Sequence, residues 1–155
     1  MALVLSTLET LRSIVGAETV LTAEEDLFPY AFDGTAAMKE SPVCGVLVGT
    51  TEEVSAVLKL ANDTGTPVVT RGSGTGLSGG SIAPPGGMQI SFARMNRILE
   101  VDVANCSAVV QPGVMNLDLD AHVRKFGMRY APDPSSQRAC SIGGNIAENA
   151  GGPHC

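Results

Sequence analysis

Apolar positions along the first half of the chain switch between two periods. At the N-terminus Val4, Leu8, Leu11 and Val15 recur at helical spacing, which predicts an amphipathic helix within Met1–Gly16. Glu18–Thr22 follows, and Thr22-x-x-Glu25 has the capping-box spacing of a short helix. Asp26–Met38, broken by Pro29, reads as an irregular crossing. From Ser41 the pattern changes. Val43–Val48 is a nearly unbroken apolar run, as in a strand covered on both faces. Thr50-x-x-Glu53 opens a second helix striped by Val54, Val57, Leu58 and Ala61, and Gly65 is placed to end it. Thr66–Thr70 is a second buried strand. Strand, helix and strand at this spacing form a βαβ unit, so the two strands are expected to run parallel.

Beyond Thr70 the pattern is dominated by glycine. Residues 71–80 read RGSGTGLSGG, and seven of the 18 glycines lie between Gly72 and Gly87. Three strand-like runs follow, Met88–Phe92, Ile98–Val103 and Ser107–Gln111, with Asn105 as the turn between the last two. Asn116 is read as the cap of a helix to Phe126, carried by Leu117, Leu119 and Val123 and ended at Gly127. The chain closes with YAPDPSSQ (130–137), SIGGNIAENAGG (141–152) and Pro153-His154-Cys155. A chain that stops on its most unusual sequence is expected to be part of something longer.

Composition narrows the function. Hydrophobic residues make up 44% of the 155, enough for a core. Ten basic against 16 acidic residues leave a net charge of −6, the wrong sign for a nucleic-acid or anionic-membrane surface. No stretch reaches the ~18 apolar residues of a membrane span, and the N-terminus lacks the layout of a signal peptide. Cys44, Cys106, Cys140 and Cys155 show no CxxC spacing and are expected to be reduced and mostly buried.

A glycine-rich loop leaving a buried parallel strand lets backbone amides approach an anion, because no Cβ stands in the way. An acidic protein can meet phosphate charge in this way, with Arg71 as the fixed cation at the loop's start. Gly74-x-Gly76-x-x-Gly79 matches the dinucleotide fingerprint literally. That fingerprint requires a helix directly after it, which Gly80, Pro84, Pro85, Gly86 and Gly87 forbid. No GxxxxGK[ST] is present either. A second anion-friendly element is a short helix through Ile142–Asn149 capped by Ser141, with Gly143 and Gly144 in its first turn. Before it, Pro132-Asp133-Pro134-Ser135-Ser136 is a stiffened turn with two hydroxyls. Two such elements suit a long dinucleotide held along its diphosphate.

Other titratable residues read blandly. His122 belongs to a solvated helix face, and Asp118 and Asp120 are two apart on a helix and do not face each other. Glu100 and Asp102 share a strand face without a catalytic partner. His154 beside Cys155 does not make a metal site, so no metal is expected. No catalytic base is legible.

RGSGTGLSGG, RMNRILEVD (94–102), VQPGV (110–114), APDPSSQ (131–137) and IGGNIAENAGGPHC (142–155), in this order, resemble the FAD-linked oxidases with a vanillyl-alcohol-oxidase-type (PCMH-type) flavin domain. Within them the chain is most similar to the group of bacterial glycolate oxidase D subunits and the D-lactate and D-2-hydroxyglutarate dehydrogenases. The resemblance implies an α/β fold of two small subdomains clasping FAD, the second incomplete here, with residues 1–40 as a helical lead-in and 41–155 as the FAD-binding domain. It implies that Arg71, Gly72, Ser73, Gly74, Thr75, Gly76, Leu77, Ser78 and Gly79 wrap the FAD pyrophosphate. Pro132, Asp133, Pro134, Ser135 and Ser136, with Gly143, Gly144, Asn145, Ala147 and Gly151, would line the rest. Relatives that tether flavin use a histidine in the first loop; Arg71–Gly80 holds neither His nor Cys, so non-covalent FAD is expected.

The implied reaction is oxidation of a 2-hydroxy acid such as glycolate or D-lactate to the 2-oxo acid, the fragment alone lacking turnover. Implied partners are that substrate, oxidase subunits with iron–sulfur clusters, and a second copy of the chain. The implied location is the cytoplasm, or the membrane periphery through those subunits. The rival reading is a truncated flavin- or nucleotide-binding module without catalysis.

Overall fold

The computed structural model describes residues 5–35 and 37–155. Val4, the first position of the N-terminal stripe, lies outside them. Helix α1 (Leu5–Val15) buries Leu11 and Val15 and leads through a single 3-10 turn into a two-residue strand, β1 (Val20–Leu21). A short helix α2 (Glu24–Leu27) follows, N-capped by Ala23 without a side-chain bond. The Thr22-x-x-Glu25 capping box therefore does not form, although a helix does start there.

Strand β2 (Cys44–Leu47) is buried through its first three residues. Helix α3 (Thr51–Thr64) is opened by the Thr50 hydroxyl, which accepts a hydrogen bond from Glu53 N–H at 3.2 Å. The Glu53 carboxylate accepts in return from Gly49 N–H at 2.7 Å, one residue earlier than the usual reciprocal bond. Gly65 ends the helix in the left-handed region. Val57 and Ala61 are buried, whereas Leu58 is 44% exposed, so the apolar stripe is narrower than its pattern suggests.

Strand β3 (Val68–Arg71) is half-buried rather than buried, because it stands at a sheet edge. Strand β4 (Met88–Ser91) is fully buried and lies between β2 and β3, parallel to both. The four-stranded order is β1-β2-β4-β3, with β1 antiparallel on the outside. The expected β2–α3–β3 unit is present, but with a third strand inserted in the gap. Met88 and Ile90 join Val46, Val48, Val57 and Leu11 in one core. Between them in sequence, Gln89 is fully buried and its amide nitrogen donates to the carbonyls of Tyr30 and Ser81. The alternation of a strand thus sends apolar side chains to one face and ties the glycine loop down on the other.

The second unit is smaller. Strands β5 (Ile98–Asp102) and β6 (Ser107–Val110) form an antiparallel hairpin with a bulge between Ile98 and Glu100. Asp102 closes its turn by accepting from the Asn105 amide at 3.0 Å and from its side chain at 2.6 Å. Helix α4 (Asn116–Val123) continues in 3-10 form to Phe126, and Gly127 caps it. Asn116 is its first residue and not its cap: Met115 holds that place, and the buried Asn116 amide donates to Pro132 O at 3.0 Å. Helix α5 (Ile142–Ala147) is two residues shorter than expected at its C-terminal end. Val114, Leu119, Val123 and Ile142 form this unit's core. Cys44 and Cys140 are buried and Cys106 and Cys155 exposed, so half of the thiols face solvent where most were expected inside.

Candidate functional site

A cleft of about 500 Å³ opens where the chain leaves β3, between the two units. Crevices outside the carboxyl ends of parallel strands are the usual binding place in open α/β sheets. One wall is Gly72–Leu77 with Gly80 and Ser81. The opposite wall is Ser141, Gly143–Asn145, Ala147, Glu148 and Ala150, and Pro134–Ser136 closes the side. The structure thus brings together three segments far apart in sequence.

The first wall offers hydrogen-bond donors. Among the described residues no backbone amide from Gly72 to Ser81 donates to a protein acceptor; the first to do so is Ile82 N–H, to Gly79 O at 3.1 Å. Gly72, Gly74, Thr75, Gly76, Gly79 and Ser81 are half-buried, where amides are normally paired, so their stretch of the loop is a place for an external acceptor. Gly74 takes φ +68, and a Cβ there would overlap the Arg71 guanidinium, so the turn admits only glycine without strain.

The second wall holds two orphaned polar atoms. Ser141 Oγ and Asn145 Nδ2 are buried and lack a hydrogen-bond partner. Ser141 is the N-cap of α5 in position only, since its side chain makes no cap bond. A helix of six residues supplies little dipole, so these side chains and the amides carry the site's polarity. At the mouth, Ser78 Oγ donates to Glu148 Oε2 at 2.7 Å, bridging the two glycine segments.

Of the residues expected at the site, Gly72, Ser73, Gly74, Thr75, Gly76, Leu77, Pro134, Ser135, Ser136, Gly143, Gly144, Asn145 and Ala147 line the cleft. Arg71 does not. Its guanidinium donates to Phe32 O at 2.6 Å and Pro29 O at 3.2 Å and lies over the Tyr30 ring. Burial pulls its pKa down, opposed by Tyr30 and Asp33. It fastens the lead-in to the loop from beneath Gly74 and does not itself line the cleft. Ser78 acts through Glu148, and Gly79 packs beside Met38. Pro132 accepts from Asn116. Asp133 and Gly151 hold the last residues in place: Asp133 N–H donates to Gly151 O at 2.8 Å, and the Asp133 carboxylate receives the His154 amide and ring. Those His154 hydrogen bonds hold the Asp133 carboxyl below the usual carboxylate range. Sequence reasoning missed Thr70, Ser81, Phe92, Pro112, Glu148 and Ala150 as wall residues, whereas Gly80 stood in the expected loop 71–80 and Ser141 in the expected anion-binding helix. Ser141 and Glu148 stood inside the quoted second motif; Phe92 and Pro112 gave no local signal.

The model of the family described as FAD binding domain matches residues 42–155. The glycolate oxidase subunit GlcD of Escherichia coli (strain K12) is 46% identical over 150 residues, 97% of this chain and 30% of that protein. The D-lactate dehydrogenase of Anaerostipes hadrus is 40% identical over 139 residues, 89% of this chain and 29% of that one. The chain therefore spans about 30% of the length of these curated relatives. Among solved structures, p-cresol methylhydroxylase superposes with a TM-score of 0.80 at 24% identity, covering 91% of this chain and 28% of its own, which shows the fold. The site residues fit FAD: the unpaired amides suit its diphosphate, and orphaned Ser141 Oγ and Asn145 Nδ2 supply hydrogen bonds inside the cleft. With the motif order, the PCMH-type fold and the cleft in agreement, the chain belongs to the FAD-binding domain family.

Proposed function

We propose that the chain is the FAD-binding portion of a flavin-dependent oxidoreductase that converts a 2-hydroxy acid to its 2-oxo acid. The observation that carries the reading is the run of unpaired amides from Gly72 to Ser81 facing the orphaned donors of the second wall. The identity to a glycolate oxidase subunit and to a D-lactate dehydrogenase supports the substrate class. In this reading the Gly72–Gly76 amides hold the diphosphate, and Ser135, Ser136, Ser141 and Asn145 hydrogen-bond the rest. Leu77, Phe92 and Ala150 give the cleft its apolar side. Bound FAD supplies the hydride acceptor for the substrate α-carbon; the protein positions it. Residues 41–155 act as the cofactor-binding domain and 1–40 as its lead-in, which Arg71 and β1 fasten to the sheet.

The flavin is held without a covalent bond, and electrons pass onward to partner subunits in the cytoplasm or at the membrane periphery. Among the described residues no helix is long and apolar enough to cross a membrane. Anaerobic addition of glycolate or D-lactate to a longer polypeptide that carries this sequence and holds FAD is expected to bleach the visible flavin band. Bound FAD that no 2-hydroxy acid reduces would leave a flavin-binding module without this catalysis. Acid precipitation is expected to leave all flavin in the supernatant; yellow pellets would contradict non-covalent binding.

A further inference from the structure

Pro134–Ser136, which close the side of the cleft, belong to an irregular stretch that no strand or helix holds in place. Among the described residues, four hydrogen bonds tie residues 131–136 to more distant parts of the chain. The Asn116 side chain donates to Pro132 O, and Asp133 N–H donates to Gly151 O. The other two come from His154: its amide donates to Asp133 Oδ1 at 3.0 Å, and its ring Nδ1 meets Asp133 Oδ2. Gly152 turns the chain back onto Asp133, with φ +87 and no Cβ to overlap the Asp133 carbonyl. Ala150, where this returning segment begins, lines the cleft as well. The Asp133–His154 pair therefore joins two stretches that each carry wall residues.

The strength of that pair changes with pH. The His154 amide and then its ring hold the Asp133 carboxyl below the usual carboxylate range, so Asp133 stays ionised above about pH 5. An imidazole gains or loses its charge between about pH 5 and 8. A neutral ring still donates through an Nδ1–H, so the upper end of that range removes the charge and not the bond. Arg129 adds its field to the Asp133 carboxylate. Tyr130, raised by burial, and the thiols of Cys155 and Cys140 complete the titratable surroundings among the described residues. Resting on the FAD reading above, we propose that His154 is a positioning residue: through Asp133 it seats the Pro134–Ser136 wall, and its ring charge makes cofactor affinity depend on pH. The charged ring clasps the wall, and the neutral ring loosens it.

The test is FAD titration by flavin fluorescence at about pH 5.5 and 7.5, with the chain and with its His154→Gln and His122→Gln variants, which cover both histidines of the sequence. The His154 side chain is 59% exposed, so its replacement leaves the core untouched, and circular dichroism checks the fold. A solvent-facing ion pair predicts FAD affinity about threefold higher at the lower pH in the wild type. His154→Gln is expected to bind at the weaker level at both pH values, and His122→Gln to keep the wild-type ratio. Equal affinity at the two pH values in the wild type, or an unchanged ratio in His154→Gln, would overturn the assignment while leaving the FAD reading standing. Hydrogen exchange at the His154 amide without FAD reads the clasp by itself. Protection is expected in the wild type, greater at the lower pH, and lost in Asp133→Ala. Equal protection in wild type and Asp133→Ala would overturn the clasp. A wild-type chain that keeps the protection and binds no FAD would overturn the FAD reading and, with it, the role of His154 in cofactor binding.

Discussion

Gly74 and Gly76 stand two residues apart and carry different duties. Gly74 holds φ +68 with the Arg71 guanidinium where its Cβ would be, so Gly74→Ala strains the backbone and loosens the lead-in. A loss of about 1–3 kcal/mol in denaturant unfolding is expected. A Cβ on Gly76 meets only the Glu148 carboxyl, at 3.7 Å, and otherwise enters the cleft. Gly76→Val is therefore expected to keep the melting temperature and abolish FAD binding. Normal FAD binding by that variant would make the loop a mere connector. The glycine spacing made the loop legible in the sequence, but not this division, because Arg71 acquires its carbonyl partners from residues 29–32, remote in sequence. Burial pushes the Cys44 thiol from its ordinary 9.0 to about 11. Raised on folding, it stabilises fully below pH 9, where both states are protonated, and the contribution fades as pH rises towards 11. Roughly 2–3 kcal/mol is at stake. Urea midpoints are expected to fall over that interval, and less so in Cys44→Ala.

Elements built by local rules were legible, and those set by distant partners were not. Helix α3 follows from Thr50, Glu53 and Gly65, each acting within five residues of its end. Thr50→Ala is expected to cost about 1 kcal/mol by chemical denaturation. The place of β4 between β2 and β3 leaves no trace in local pattern, since Met88–Ser91 reads as one more apolar run. Asn116 looks like a cap because asparagine favours that position, yet tertiary packing draws its amide to Pro132 O. In the same way Ser141 keeps the cap's position while its hydroxyl stays unpartnered at the cleft. The cleft was foreshadowed by two glycine-rich runs, whereas Phe92, Pro112 and the Ser78–Glu148 bridge emerge only from the packing of the units.

At the scale of the molecule, the small unit rests on a two-stranded hairpin with Leu99, Val103 and Val109 about half exposed. Such an apolar face with open strand edges favours association. Light scattering is expected to show concentration-dependent oligomers of the chain; a monomer at all concentrations would contradict this. The central claim is that the cleft between the units is shaped for FAD and not for a nicotinamide dinucleotide, whose fingerprint fails for want of a helix after Gly79. Titration of the folded chain with FAD and with NAD in parallel, followed by calorimetry, tests it most directly. Saturable FAD binding at one site per chain, with NAD binding much weaker or absent, is the predicted result. Equal affinity for the two, or no FAD binding by a chain with native circular dichroism, would contradict it.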